Sequence, residues 1–197
     1  MYNNKTSSRK TIVGPKLSRV VWNEKGWVFP SGSFGKSTNA GNHEHDYGYG
    51  YEEWLLDTNK CIDGYHYGFL QPFNQYFDLY KGNTIADIYL YTIHYPSRKR
   101  YWVAHLRDVE ILNQSECDFA TEEYRKRGWL EEMRQQVETA SSRPDFSGHH
   151  NGRIVHLRYK PDERNPYSPL IPVNHNHPVY KLHRFKLYDA TGMELPD

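Results

Sequence analysis

The sequence predicts an α+β fold in which a curved mixed sheet, or a half-open β-barrel, is flanked by a few helices. Three observations carry this. Hydrophobic residues make up only 37% of the chain and the mean hydropathy is −0.90, yet aromatic residues reach 15%, with 17 tyrosines. Rings in that number suit a pleated surface, and disordered chains lack them. Two alternating runs, 85–95 and 101–112, are separated by the basic turn Pro96-Ser97-Arg98-Lys99-Arg100 and predict a hairpin. One convincing helical stretch, 118–139, follows before strand patterns resume. Strands, one helical region and more strands joined mostly by hairpins is the order of an α+β domain.

The 197 residues suffice for one core. A single domain over 18–197 is expected behind a short flexible lead-in, residues 1–17, because MYNNKTSSRK is polar with no hydrophobic segment behind it and does not read as a secretory signal. Arg19 to Trp22 predicts a short strand, turned by Asn23 to Gly26 into a second at Trp27 to Phe29, which Pro30 and Gly32 end. Glu52 to Asp57 suggests a helical turn. Tyr65 to Gln71 predicts a strand with Tyr65, Tyr67 and Phe69 on one face, stopped by Pro72. In the hairpin, Ile88, Leu90, Thr92 and His94 oppose Tyr89, Tyr91, Ile93 and Tyr95. Gly128 breaks the helical stretch in two, and Trp129, Leu130, Met133 and Val137 then form the stripe that a sheet-covering helix buries. Arg153 to Lys160 and Tyr180 to Leu187 predict the last strands, with a proline-rich connection between them.

A net charge of +1 and a pI near 7.8 place any polyanion binding in local basic patches. Cys61 and Cys117 lie far apart without a partner motif, which reads as reduced cysteines in a cytoplasmic protein. No run approaches the roughly 18 apolar residues that span a bilayer, so no membrane partner is expected.

Between Trp22 and Leu56 the chain is rich in glycine, serine and asparagine and is bounded by aromatic residues. Large rings flanking a flexible polar loop suit the walls and lid of a pocket for a flat ligand; buried in a core, Trp22, Trp27 and Trp54 would be ordinary packing residues. Gly35-Lys36-Ser37 imitates a phosphate loop, but the first glycine that motif needs falls at Pro30 and no apolar helix follows. Lys36 is left as a lone phosphate contact. Glu52-Glu53 is a carboxylate pair whose members should point apart. No nucleophile motif is present, and no cofactor is implied.

The histidines offer a metal site as an alternative. His43, His45 and Asp46 form one group, while His149, His150, Asn174, His177 and His183 imitate the order of a metal-dependent HNH-like nuclease. That enzyme needs its last histidine on a helix, and 177–183 contains Pro178 and alternates like a strand. The basic groups Lys36, Arg98-Lys99-Arg100 and Arg125-Lys126-Arg127, interleaved with aromatic residues, favour phosphate contacts.

An ordered set of short motifs adds to this. Trp22 to Trp27 with Pro30-Ser31-Gly32 and Gly35-Lys36-Ser37, then Gly50-Tyr51-Glu52-Glu53-Trp54-Leu55, then Asp63-Gly64-Tyr65 through Gly68-Phe69-Leu70-Gln71, then Arg100-Tyr101-Trp102-Val103 to Val109-Glu110, and Gly128-Trp129-Leu130 with Met133 resemble a bacterial domain found at the front of HNH-type modification-dependent restriction endonucleases. The layout over residues 18–188 is similar to the PUA-like superfold of the EVE, YTH, ASCH and SRA modules. The resemblance implies a reader, not an enzyme. It would flip a modified base of DNA, a methylated or hydroxymethylated cytosine or a methylated adenine, into an aromatic cage of Trp22, Trp27, Tyr49 and Trp54. Ser31, Ser33 and Glu53 would meet the base edge, Lys36, Arg98, Lys99, Arg100 and Arg125 would hold phosphates, and a nuclease domain or subunit would be the effector. These 197 residues depart from the pattern in having no separate nuclease domain. A protein-interaction domain is the third possibility, favoured by the near-neutral charge.

Overall fold

The computed structural model describes residues 9–141, 143–146 and 153–197. From Lys10 on, the expected lead-in is part of a central strand. β1, Lys10–Val20, lies parallel to β4, Asn83–His94, and its upper half also pairs with β8, Leu187–Asp189. Leu17 is fully buried there, facing Tyr89 and Tyr188 across the ladders. A strand with partners on both sides can bury both of its faces, and Leu17 to Val20 are all buried although Ser18 and Arg19 are polar.

β4 returns through the basic turn into β5, Lys99–Ile111, in the long antiparallel hairpin that the alternation predicts. Its register slips between Leu90 and Tyr91. Ile88 and Leu90 point into the first hydrophobic cluster, and Tyr91 and Ile93 join Trp102 in a separate one. β2, Cys61–Ile62, β3, Tyr65–Gly68, and β6, Leu157–Tyr159, extend the sheet to the order β2-β3-β6-β5-β4-β1-β8, and β7, Ile171–Pro172, pairs with β5 beside β6. The result is one mixed eight-stranded sheet in an α+β domain that does not close into a barrel.

Chain 49–57 packs against the chain just past β1 and against the end of β3. Val21, just past β1, touches Gly50, and Leu55 packs against the backbone at Gly68, the end of β3. Leu55 and Leu56 sit in the first cluster with Val20, Ile85, Val103 and Tyr159. The helical turn expected at 52–57 is a 3-10 turn at Tyr51–Trp54.

Two short helices, α1 at His43–Asp46 and α2 at Gln71–Gln75, flank this segment. α2 takes the place of the end of the predicted 65–71 strand: Pro72 sits in its first turn, where a missing N–H costs nothing. α3, Phe77–Tyr80, follows. The predicted helical pair is α4, Gln114–Lys126, and α5, Trp129–Ala140, separated by Gly128 at φ 75°. α4 starts before residue 118 because Asn113 caps it, accepting from the Glu116 amide while Glu116 accepts from the Asn113 amide. Met133 and Val137 are buried as the stripe predicts, with Trp129 and Leu130 packed at its margin.

Elsewhere the strand expectations shorten. Trp27 to Phe29 is a turn, because the Asn23 side chain accepts from the amides of Lys25 and Trp27 and Trp27 takes a left-handed φ of 58°. The 180–187 segment begins as a 3-10 turn, Pro178–Lys181, capped by His177. No helix among the described residues is long and apolar enough to cross a membrane.

Candidate functional site

The indole rings expected to form a cage are packing residues. Trp27 is 1% exposed in the first cluster, and its Nε1 donates to the Val21 carbonyl at 3.0 Å. Tyr49 is sealed in the second cluster, with its hydroxyl donating to the Asp145 carbonyl. Trp54 is buried there too, and its Nε1 donates to Gln136 of α5 at 2.6 Å. Trp22 is half-buried against His94 and Tyr101, and its ring lies so close over Gly35 that a Cβ there would come within 2.2 Å. Large rings beside a mobile-looking loop thus anchor that loop, because each finds apolar neighbours and, for Trp27 and Trp54, an acceptor for its N–H.

Lys36 and Glu53 are likewise interior. Lys36 Nζ, with no exposed side-chain surface, donates to Glu53 at 2.7 Å and to the Gly48 carbonyl at 3.0 Å. The other Glu53 oxygen accepts from Asn23 at 2.7 Å and from the amide and hydroxyl of Ser31, and the Gly50 amide completes the set. Burial lowers Lys36 and raises Glu53, while their mutual attraction opposes both shifts. This network ties loop 23–37 to the 3-10 turn, so Lys36 has no phosphate to hold. Ser31 is committed to Glu53, and Ser33 is exposed in a turn, its carbonyl accepting from the Lys36 amide.

The basic residues divide. Arg100 is buried and donates to the Tyr180 carbonyl at 2.9 Å and to His183 at 3.2 Å, fastening segment 178–186 to the hairpin. Arg98 and Lys99 are exposed and have no carboxylate partner among the described residues. Arg125 pairs with Glu122 on α4, whose C-terminus is tied through Arg127 to Cys61 at the β2 edge. It does not join the hairpin tip.

The residues that surround a hollow are others. Val21, His43, Glu44, Tyr51, Glu52 and Phe185, with Phe69 behind, enclose a recess of about 190 Å³ between the end of β1, α1 and the 3-10 turn. That is smaller than the roughly 300–1,000 Å³ of sites for drug-sized molecules and suits a single flat ring system. Aromatic faces come from three parts of the chain. Tyr51 and Phe69 approach each other at 5.5 Å, His43 lies 6.0 Å from Tyr51, and Phe185 carries the Arg19 guanidinium on one face at 4.2 Å.

Polarity in the recess is acidic. Glu44 is paired to Arg19 at 3.4 Å, and Arg19 also donates to the His183 carbonyl at 2.6 Å, which holds the segment that carries Phe185. The Glu52 carboxyl is 96% withdrawn from solvent as part of its residue and meets its own backbone amide but no other donor among the described residues. Burial, with Glu44 and Glu53 nearby, pushes it up to about 7. Gly50 makes room for it: a Cβ there would lie 2.7 Å from the Glu52 carboxylate and 3.0 Å from Val21.

Near Phe185 in the chain, Lys181, His183 and Arg184 are exposed. Burial, then the charges of Arg100, Arg19 and Arg98, lower the His183 pKa. In the histidine alternative, His149 and His150 lie outside the described residues, and among those described no group of three potential ligands gathers to hold a metal ion. His177 accepts from the Val179 amide and meets the Glu194 carbonyl, a capping role.

Of the recess residues, Tyr51 and Glu52 lie within the motifs read from the sequence and His43 within its histidine group, whereas Phe185 comes from a distant segment just before β8 that only the fold brings alongside. The detectable signal was Gly50 before Tyr51-Glu52: a glycine next to an acidic aromatic pair marks a close approach. Comparison with protein-family models, with curated proteins and with solved structures gave no match to this chain.

Proposed function

We propose that this chain is a specificity module that recognises a modified base in DNA by taking it, flipped from the stack, into the recess between Tyr51, Phe69 and Phe185. The open mixed sheet with its covering helices is on this proposal a PUA-like one. The observation that carries it is the recess itself: a hollow of about 190 Å³ lined by aromatic residues, with the buried Glu52 carboxyl in its wall. A flipped base needs stacking surfaces and a hydrogen-bonding group at its edge, and both are supplied. The exposed Arg98, Lys99, Lys181 and Arg184 would serve as phosphate contacts, and their neutralisation of phosphates makes binding fall steeply with salt. Cleavage belongs, in this proposal, to a separate nuclease domain or subunit.

An electrophoretic shift panel of plain and modified duplexes tests the proposal. At least one modified duplex should be retarded at concentrations that leave plain duplex free, and Phe185→Ala should abolish the difference, since each base–ring stack contributes about 1–3 kcal/mol. Equal retardation of all duplexes would remove base reading, and no retardation would favour a protein-interaction domain.

A further inference from the structure

The electrostatics of the recess are one-sided, and this narrows the base that the proposed function would select. Among the described residues no lysine or arginine lines the recess. The nearest cation, Arg19, lies behind the wall, paired to Glu44 at 3.4 Å and donating to the His183 carbonyl. Its attraction reaches Glu52 as well, but the repulsion from Glu44 and Glu53 outweighs it. Phe185, half-buried in the wall, adds the negative face of its quadrupole. A neutral base gains little from such surroundings. A base with a formal positive charge gains from the rings, through cation–π attraction, and from the carboxylate, through a charge-assisted hydrogen bond or ion pair in a site removed from water.

Resting on the base-reading proposal, we infer that the preferred guest is a cationic base, methylated on a ring nitrogen, as in 1-methyladenine or 3-methylcytosine. Neutral methylated bases of the same mass, N6-methyladenine and 5-methylcytosine, are its poorer ligands. The guest ion-pairs with the Glu52 carboxylate, and its ring stacks on Phe185.

A pH signature follows. Glu52 is faced by Glu44 and His43 from α1, by Arg19 from β1 and by Glu53 from its own turn. With the recess empty, the Glu52 carboxyl is raised to about 7, so at pH 6 most of it carries a proton that a cation must expel. Affinity for a cationic base therefore rises between pH 6 and pH 8. A neutral base that accepts a hydrogen bond from protonated Glu52 shows the opposite slope.

The test is a binding titration, by fluorescence anisotropy, of four labelled duplexes that differ at one position: 1-methyladenine against N6-methyladenine, and 3-methylcytosine against 5-methylcytosine. Each base is placed opposite a mismatch, so that neither isomer gains from easier extrusion. The cationic isomer of at least one pair should bind roughly tenfold or more tightly, the ratio of a desolvated cation–π contact and ion pair to a neutral stack. The advantage should grow from pH 6 to pH 8, and Glu52→Gln should erase both the advantage and its pH slope. Neutral isomers binding equally or better would overturn the charge inference and leave base reading standing. All four duplexes binding no better than plain mismatched DNA would overturn both. A pH slope that survives in Glu52→Gln would refute the role given to Glu52.

Discussion

Glu52 and Glu53 are neighbours on one 3-10 turn, equally withdrawn from water, and they serve opposite purposes. Glu53 is surrounded by donors: Lys36, Asn23, Ser31 and the Gly50 amide occupy both of its oxygens. Glu52 faces a hollow and has only its own amide. Backbone geometry sends adjacent side chains of such a turn in different directions, so one carboxylate closes a structural network and the other lines the recess. Burial alone therefore says little about role; the supply of partners decides it.

The contrast breaks most visibly on the structural side. Lys36→Met leaves Glu53 buried without its cation and should destabilise the fold by about 3–5 kcal/mol in urea unfolding, and Lys36→Met with Glu53→Leu should recover much of the loss. Recovery by the pair, not by either single change, is what marks the network as structural. Trp27→Ala removes a sealed core ring and should cost a similar amount, about 3–5 kcal/mol, by cavity formation. At temperatures where the variant stays folded, its preference for modified over plain DNA should be unchanged, because Trp27 does not line the recess.

Glu52 sharpens the comparison through pH. Its carboxyl lies near 7 in the fold against an ordinary value of 4.5, so the folded state holds the proton more tightly. Its contribution is fully present below about pH 4.5 and is lost as pH rises through 7, a change on the order of 3 kcal/mol. Glu52→Gln should flatten that decline and unfold at higher temperature than the parent at pH 8, as followed by circular dichroism. Such a gain, in a residue kept charged at a cost to stability, is the mark of a group held for binding. The smallest effect is expected at Arg125. Its ion pair with Glu122 is solvent-exposed, and Arg125→Ala should change stability by less than about 0.5 kcal/mol and leave DNA binding unaltered.

How much of this was legible in the chain follows from the range of the interactions involved. The 85–112 hairpin and the break at Gly128 could be read because alternation and a left-handed glycine are local signals. β1 could not, since Lys10 to Val20 is too polar to look like a central strand and is made one by β4 and β8 on either side. The loop 22–56 stands out in composition, but composition cannot distinguish an indole that roofs a pocket from one that anchors a loop to its core, as Trp27 does through Val21 and a left-handed turn. Lys36 looked free for the same reason, its partner Glu53 lying 17 residues away. Phe185 was invisible because its place in the recess depends on Arg19 and Arg100 fastening a distant segment.

One measurement bears directly on the division between the two glutamates. Wild-type protein, Glu52→Gln and Lys36→Met/Glu53→Leu should be titrated with the tightest-binding modified duplex and with its plain counterpart, with thermal unfolding recorded on the same samples. The account predicts that Glu52→Gln loses the discrimination between the two duplexes while melting no lower than wild type, and that the double variant keeps the discrimination while melting lower. Discrimination that survives in Glu52→Gln and disappears in the folded double variant would contradict it.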